Sequence, residues 1–129
     1  MRVSLPRSRR IVALLAAFVV VATGCGAAAT PTPSWPAGSL VVTAKDRKFD
    51  TRELRFSNDD ETQLVFVNAD SEAHNIVIRT QPRFAGDVVF KFPPISKGYT
   101  VVTVGPLEPG SYFFLCDVHP QMKGTVVVT

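Results

Sequence analysis

The chain has 129 residues, with 10 prolines, 8 glycines and a formal charge of +3. That length holds one ordinary domain at most. The positive balance sits in Arg2, Arg7, Arg9 and Arg10; beyond residue 24 the chain carries ten basic and eleven acidic side chains. A near-neutral domain argues against a nucleic-acid binder.

The N-terminus reads as an export signal. Basic residues up to Arg10 precede the apolar run from Ile11 to Thr23. The run is too short to span a bilayer as a helix but suits a signal core. It ends in Val21-Ala22-Thr23-Gly24-Cys25, with a small residue before the cysteine. This resembles the lipobox of bacterial lipoproteins, although Ala22 stands where that family usually has Leu. The resemblance implies a signal peptide over residues 1–24, acylation of Cys25 and anchoring to the extracytoplasmic face of a bacterial membrane. The alternative is an ordinary cleaved signal that leaves a secreted or periplasmic protein. Ser8-Arg9-Arg10 is also similar to a twin-arginine export signal. Residues 25–38 follow as an acylated cysteine and a flexible tether, rich in Ala, Pro and Gly and without apolar periodicity. Thirteen residues from Gly26 to Gly38 reach about 40 Å when extended at roughly 3.3 Å each. Trp35 within them is expected to pack on the domain.

Residues 39–129 read as short strands between turns. Strands are expected at Leu40–Ala44, Leu54–Phe56, Thr62–Asn68, His74–Thr80, Val88–Phe92, Tyr99–Val104, Ser111–Cys116 and Thr125–Thr129. Ser57–Glu61 and Leu107–Gly110 are turns. Within Thr62–Asn68, Leu64 and Phe66 face one side and Val65 and Val67 the other. Seven or eight such strands indicate an all-β Greek-key sandwich. A helical turn within Lys45–Glu53 or Gln81–Gly86 remains open. Phe49, Phe56, Phe66, Tyr112 and Phe114 supply much of the core bulk, and the length suffices for one core without disulfides.

The chemistry concentrates near the C-terminus. Cys116-Asp117-Val118-His119-Pro120-Gln121-Met122 holds a thiolate, an imidazole and a thioether. The chain has two Cys, two His and two Met. Setting aside the initiator Met1 and Cys25 leaves His74, Cys116, His119 and Met122. Together these donors suit one copper ion, because Cu(I) favours sulfur and Cu(II) favours nitrogen. A metal also explains an unpaired thiol in an exported domain, where cysteines usually pair. Cys116 ends a strand, and His119 and Met122 follow at three-residue steps on a compact loop. His74 opens a strand that can lie beside that strand end. Alone, His74 would read as a plain surface or core residue; beside the other three it reads as the fourth ligand. Pro120 removes a backbone donor and stiffens the loop.

Ala73-His74-Asn75-Ile76-Val77-Ile78 and Gly110-Ser111-Tyr112-Phe113-Phe114-Leu115-Cys116-Asp117-Val118-His119-Pro120-Gln121-Met122-Lys123-Gly124 together resemble the cupredoxins. These are the blue-copper family of plastocyanin, azurin and amicyanin. The two-residue gap between His119 and Met122 is most similar to amicyanin. The resemblance covers the chain from about Leu40 onward. It implies His74, Cys116 and His119 as trigonal ligands, with Met122 as a long axial one. It implies that Asn75 ties the two ligand-bearing segments together and that its backbone amide can donate to the thiolate. It also implies docking through an apolar patch around the edge of His119 beside Pro120. Asp117 departs from the Ser or Thr common after the cysteine. Its carboxylate can still accept from Asn75, and its charge should lower the potential. Asp70 and Glu72 lie just before His74; they offer charge that would steer a basic partner, but read mainly as a polar loop.

The expected function is single-electron transfer between protein redox partners by an exported, monomeric protein with one type 1 copper. The alternative is a copper carrier or buffer that delivers its ion. One Met and two His, all used by one site, favour electron transfer over delivery. A metal-free sandwich that binds proteins is a third reading. An enzyme is disfavoured, since all four ligand positions are filled by protein. Zinc can share such a donor set and would be a substitution in a recombinant preparation.

Overall fold

Nine strands and no helix occupy the residues that the computed structural model describes, Pro33–Thr129. The expected signal peptide over 1–24, Cys25 and the tether up to residue 32 lie outside the described residues. The strands are β1 (Leu40–Lys45), β2 (Lys48–Phe49), β3 (Glu53–Phe56), β4 (Thr62–Asn68), β5 (Val77–Arg79), β6 (Val88–Lys91), β7 (Gly98–Val104), β8 (Gly110–Leu115) and β9 (Lys123–Val128). They form a four-stranded sheet, β2-β1-β4-β7, and a five-stranded sheet, β3-β9-β8-β5-β6. Pairs β1·β4 and β3·β9 are parallel and the others antiparallel.

Alternation sets the inner faces. In β4, Leu64 and Phe66 enter the core, and in β8 Phe114 does so from the facing sheet. Leu54, Ile76 and Ile78 complete the largest buried side chains. Phe49 and Tyr112 pack against this cluster from its margin. Gly124 is required where β9 passes β8: a Cβ there would press on the Phe114 ring and on the Arg52 carbonyl oxygen. On the outside of the first sheet, Trp35 packs edge-on against Tyr99 with ring centroids 4.9 Å apart.

Two segments differ from the sequence reading. Lys45–Glu53 contains the short strand β2 rather than a helical turn. Asp46 and Arg47 both take left-handed backbone angles (φ 52° and 55°) between the paired Lys45 and Lys48. Two successive left-handed residues make the hairpin turn that matches strand twist. The strand expected at His74–Thr80 shrinks to β5, Val77–Arg79. His74 instead makes an isolated bridge with Ile95. The Gln81–Gly86 segment is a turn, with Arg83 and Gly86 left-handed.

The register brings the ends of β1, β4, β6 and β8 to one pole with the starts of β2, β5, β7 and β9. The His74 and Cys116 segments meet there.

Candidate metal centre

Each donor is held by backbone before its side chain is considered. His74 exchanges both main-chain bonds with Ile95 (3.0 and 2.9 Å). Cys116 follows the last residue of β8. Its N–H donates to the Met122 carbonyl (3.0 Å), and the Met122 N–H donates to the His119 carbonyl (2.9 Å). These two bonds close the 116–122 loop on itself. Cys116, His74 and Met122 are buried, and the His119 side chain is 17% exposed.

The side chains converge. The His74 Nδ1 lies 3.8 Å from the Cys116 sulfur and 3.1 Å from the His119 Nδ1. One ligand atom from each of the three lies within 4.8 Å of the others. Two imidazole nitrogens bound to one ion at about 2.0–2.1 Å each stand about 3 Å apart. The observed separation fits a shared ion. Met122 packs in the same buried cluster as Cys116.

The outer nitrogens fix the tautomers. His74 Nε2 is 2.9 Å from Asp70 Oδ2, and His119 Nε2 is 3.2 Å from Glu72 Oε2. A carboxylate only accepts, so both Nε2 atoms carry protons. Both Nδ1 lone pairs then face each other across 3.1 Å, beside a thiol sulfur. A metal ion bound to both nitrogens relieves the repulsion between them.

The two carboxylates are themselves anchored. Asp70 accepts the backbone N–H groups of Asp46 (2.8 Å) and Arg47 (3.0 Å), which also holds the left-handed β1–β2 turn. Those bonds keep its carboxyl below the usual carboxylate range. Glu72 receives Arg47 through Nε (2.6 Å) and Nη2, which lowers its carboxyl pKa and raises that of the guanidinium. Buried Asn68 carries the loop between them. Its amide donates to the Glu72 and Ile95 carbonyls (2.7 and 2.8 Å) and accepts from the Asp70 N–H (2.9 Å).

Asn75 joins the two ligand segments from the other side. Its Oδ1 accepts the Asp117 N–H (3.0 Å), and its Nδ2 donates to the Phe92 carbonyl (2.9 Å) and to Asp117 Oδ2 (3.2 Å). The side chain is fully buried.

A family profile described as a cupredoxin-like domain matches residues 11–128. The chain belongs to the cupredoxin-like family. Amicyanin-alpha of Methylorubrum extorquens is 31% identical over 122 residues, covering 95% of this cupredoxin and 98% of that protein. A reduced Cu(I) form of an amicyanin variant at pH 4 is similar in structure, with a TM-score of 0.57 and 25% identity over 74% of this chain and 86% of that one. Auracyanin from the photosynthetic bacterium Roseiflexus castenholzii shares the fold, with a TM-score of 0.58 and 20% identity over 72% of this chain and 98% of that one.

In this cupredoxin His74, Cys116 and His119 come together, and the two-way bond between Asn75 and Asp117 is present. Pro120 lies exposed on the loop beside His119. Asp70 and Glu72 are more than a polar loop, since each bonds a histidine ring. Asn68 and Arg47 carried no signal of their own in the sequence. The only available signal was two acids placed four and two residues before a candidate ligand histidine.

Proposed function

We propose that this protein carries single electrons on one copper ion held by His74, Cys116, His119 and Met122. The observation that carries the reading is the pair of facing Nδ1 lone pairs beside the Cys116 sulfur. Carboxylates at both Nε2 atoms favour that tautomer, and a metal ion bound to both Nδ1 atoms relieves the repulsion. Copper, when bound, supplies the one-electron change between Cu(I) and Cu(II). The chain's own residues do the rest. Asp70 and Glu72 hold the imidazoles so that neither ring turns. Asn75 and the closed 116–122 loop hold the thiolate segment. Burial of Cys116 and His74 keeps water from the donors. A site fixed in this way changes little between oxidation states, which favours fast transfer. The partly exposed edge of His119 is the shortest route to a partner.

Residues 1–24 are the export signal in this reading, and Cys25 bears the lipid that tethers the domain outside the membrane. The small residue before Cys25 and the short apolar run before it support that assignment. Lipid mass on Cys25 in membrane fractions, lost in Cys25→Ser, checks it.

The principal test is addition of Cu(II) to the purified chain. The expected result is intense visible absorption from thiolate-to-copper charge transfer, absent in a folded Cys116→Ser variant. Repeated reduction and oxidation should return the same absorbance in the presence of a copper-free acceptor protein. Colour that drains to the acceptor would instead indicate copper delivery, and no colour at all would refute the site.

A further inference from the structure

The pole that carries the site also gathers exposed cations from both sheets. Lys48 opens β2, Arg52 precedes β3 and Lys123 opens β9. These three line one recess together with buried Met122. Across the pole, Lys91 ends β6 and Lys97 precedes β7. All five are exposed. Lys45 and Arg47 add to these five, and the acids at the same pole are Asp46, Asp50, Glu53, Asp70, Glu72 and Asp117, so seven cations stand against six carboxylates. Asp70 and Glu72 turn toward the histidines and Glu53 pairs with Arg55, whereas Lys48, Arg52 and Lys123 have no acid partner among the described residues. Between the two groups of cations stand exposed apolar side chains, Val118 and Pro120 on the ligand loop and Pro93 and Pro94 after β6.

The opposite pole carries the reverse charge among the described residues. Asp59, Asp60 and Glu61 fill the turn between β3 and β4, and Asp87 and Glu108 lie at the same end. Arg79 and Arg83 only partly offset them. The two poles therefore differ in sign, with an excess of one positive charge at the pole of the proposed copper and of three negative charges at the far one.

We propose that this pole docks onto an acidic face of a protein redox partner. The proposal rests on the reading of the site as an electron carrier. A charged rim around an apolar centre is the anatomy of a transient interface. The rim steers and orients the encounter, and the dipole turns His119 toward a negative surface before contact. A lipid surface satisfies the cations less well, because it would cover the His119 edge with a layer that holds no redox centre.

The test uses the copper(I)-loaded full chain and two inorganic oxidants of opposite charge. These are hexacyanoferrate(III) and tris(1,10-phenanthroline)cobalt(III). The triple variant Lys48→Glu, Arg52→Glu, Lys123→Glu should react about tenfold more slowly with the anion at low salt and faster with the cation. Both differences should shrink as salt rises. The far-pole variant Asp59→Lys, Asp60→Lys should change neither rate by more than about twofold. Equal rates for parent and triple variant, or an equal response at the far pole, would overturn the proposal. So would binding of the parent, but not the triple variant, to phosphatidylglycerol vesicles at physiological salt. A chain that takes up no copper refutes the electron-carrier reading instead. Hexacyanochromate(III), a paramagnetic anion, then still reads the surface. Its line broadening should centre on the amides of residues 48, 52 and 123, and broadening spread evenly over the domain would overturn the charge map.

Discussion

Replacing Asn75 by Ala removes three hydrogen bonds and leaves two main-chain groups without partners. The Phe92 carbonyl belongs to a buried residue, so water reaches it poorly; the Asp117 N–H belongs to an exposed one and is more easily rehydrated. An orphaned buried group costs about 1–3 kcal/mol. The carbonyl falls toward the upper end of that range and the amide toward the lower, for about 3 kcal/mol in all. A small domain has roughly 5–15 kcal/mol of stability, so the variant still folds. With a urea slope of roughly 1.5 kcal/mol/M, the unfolding midpoint of the copper-free protein falls by about 2 M. Because Asn75 joins the His74 segment to the Cys116 segment, the loaded protein should lose more stability than the empty one. It should also release copper faster to a chelator. Urea titrations of both forms, followed by circular dichroism, make the measurement. A copper-free midpoint within about 0.3 M of the parent would refute the view that Asn75 clamps the two segments.

Gly124→Ala drives a methyl into the Phe114 ring and the Arg52 carbonyl, which are fixed by core and sheet. The expected destabilisation is about 3 kcal/mol, at the upper end of the overpacking range, read by thermal unfolding. Asp117→Thr removes an exposed carboxylate next to Cys116 and should raise the reduction potential by about 30–60 mV, the equivalent of roughly 1 kcal/mol; an unchanged potential in a redox titration would sink this. Asp70 and Glu72 have folded-state pKa values below their ordinary ones. Their contribution is complete above the unfolded-state pKa near 4 and is lost as pH falls through the lower folded values. Copper-free stability should therefore decline below about pH 4, and Asp70→Asn or Glu72→Gln should flatten that decline.

The convergence of His74, Cys116 and His119 was legible because it depends on residue type and short spacing. Cys116, His119 and Met122 lie within one loop, and the chain offers few other soft or imidazole side chains. The sandwich was legible through the alternation of β4 and the Gly- and Pro-bearing turns. The shell around the donors was not. Asp70 is anchored beside His74 because β1 and β4 run parallel and bring the Asp46–Arg47 turn next to residue 70. Arg47 reaches Glu72 for the same reason. No periodicity encodes such a contact. β2 escaped notice because two residues carry no pattern and its turn uses two left-handed residues without glycine. The expected strand at His74–Thr80 was too long because β-branched residues suggested ladder bonds throughout. At its start, Asn75 uses its side chain instead to bond the neighbouring segments.

The way the shell is built bears on which metal the site accepts. Both imidazoles are locked by carboxylates, and the thiolate loop is closed by its own backbone. The fold itself therefore aims these donors at one point. Two imidazoles and a thiolate suit zinc as well as copper, since both accept these ligands. Selection then follows from metal supply and, with Met122 as the proposed fourth ligand, from its weak thioether, which favours Cu(I) over a closed-shell divalent ion. Zinc has no redox chemistry, so a zinc-filled site can be as stable as a copper-filled one and still carry nothing. Metal content is thus a poor measure of function for this protein. The thiolate-to-copper absorption and its return after each redox cycle are the measurements that separate a carrier from a filled site.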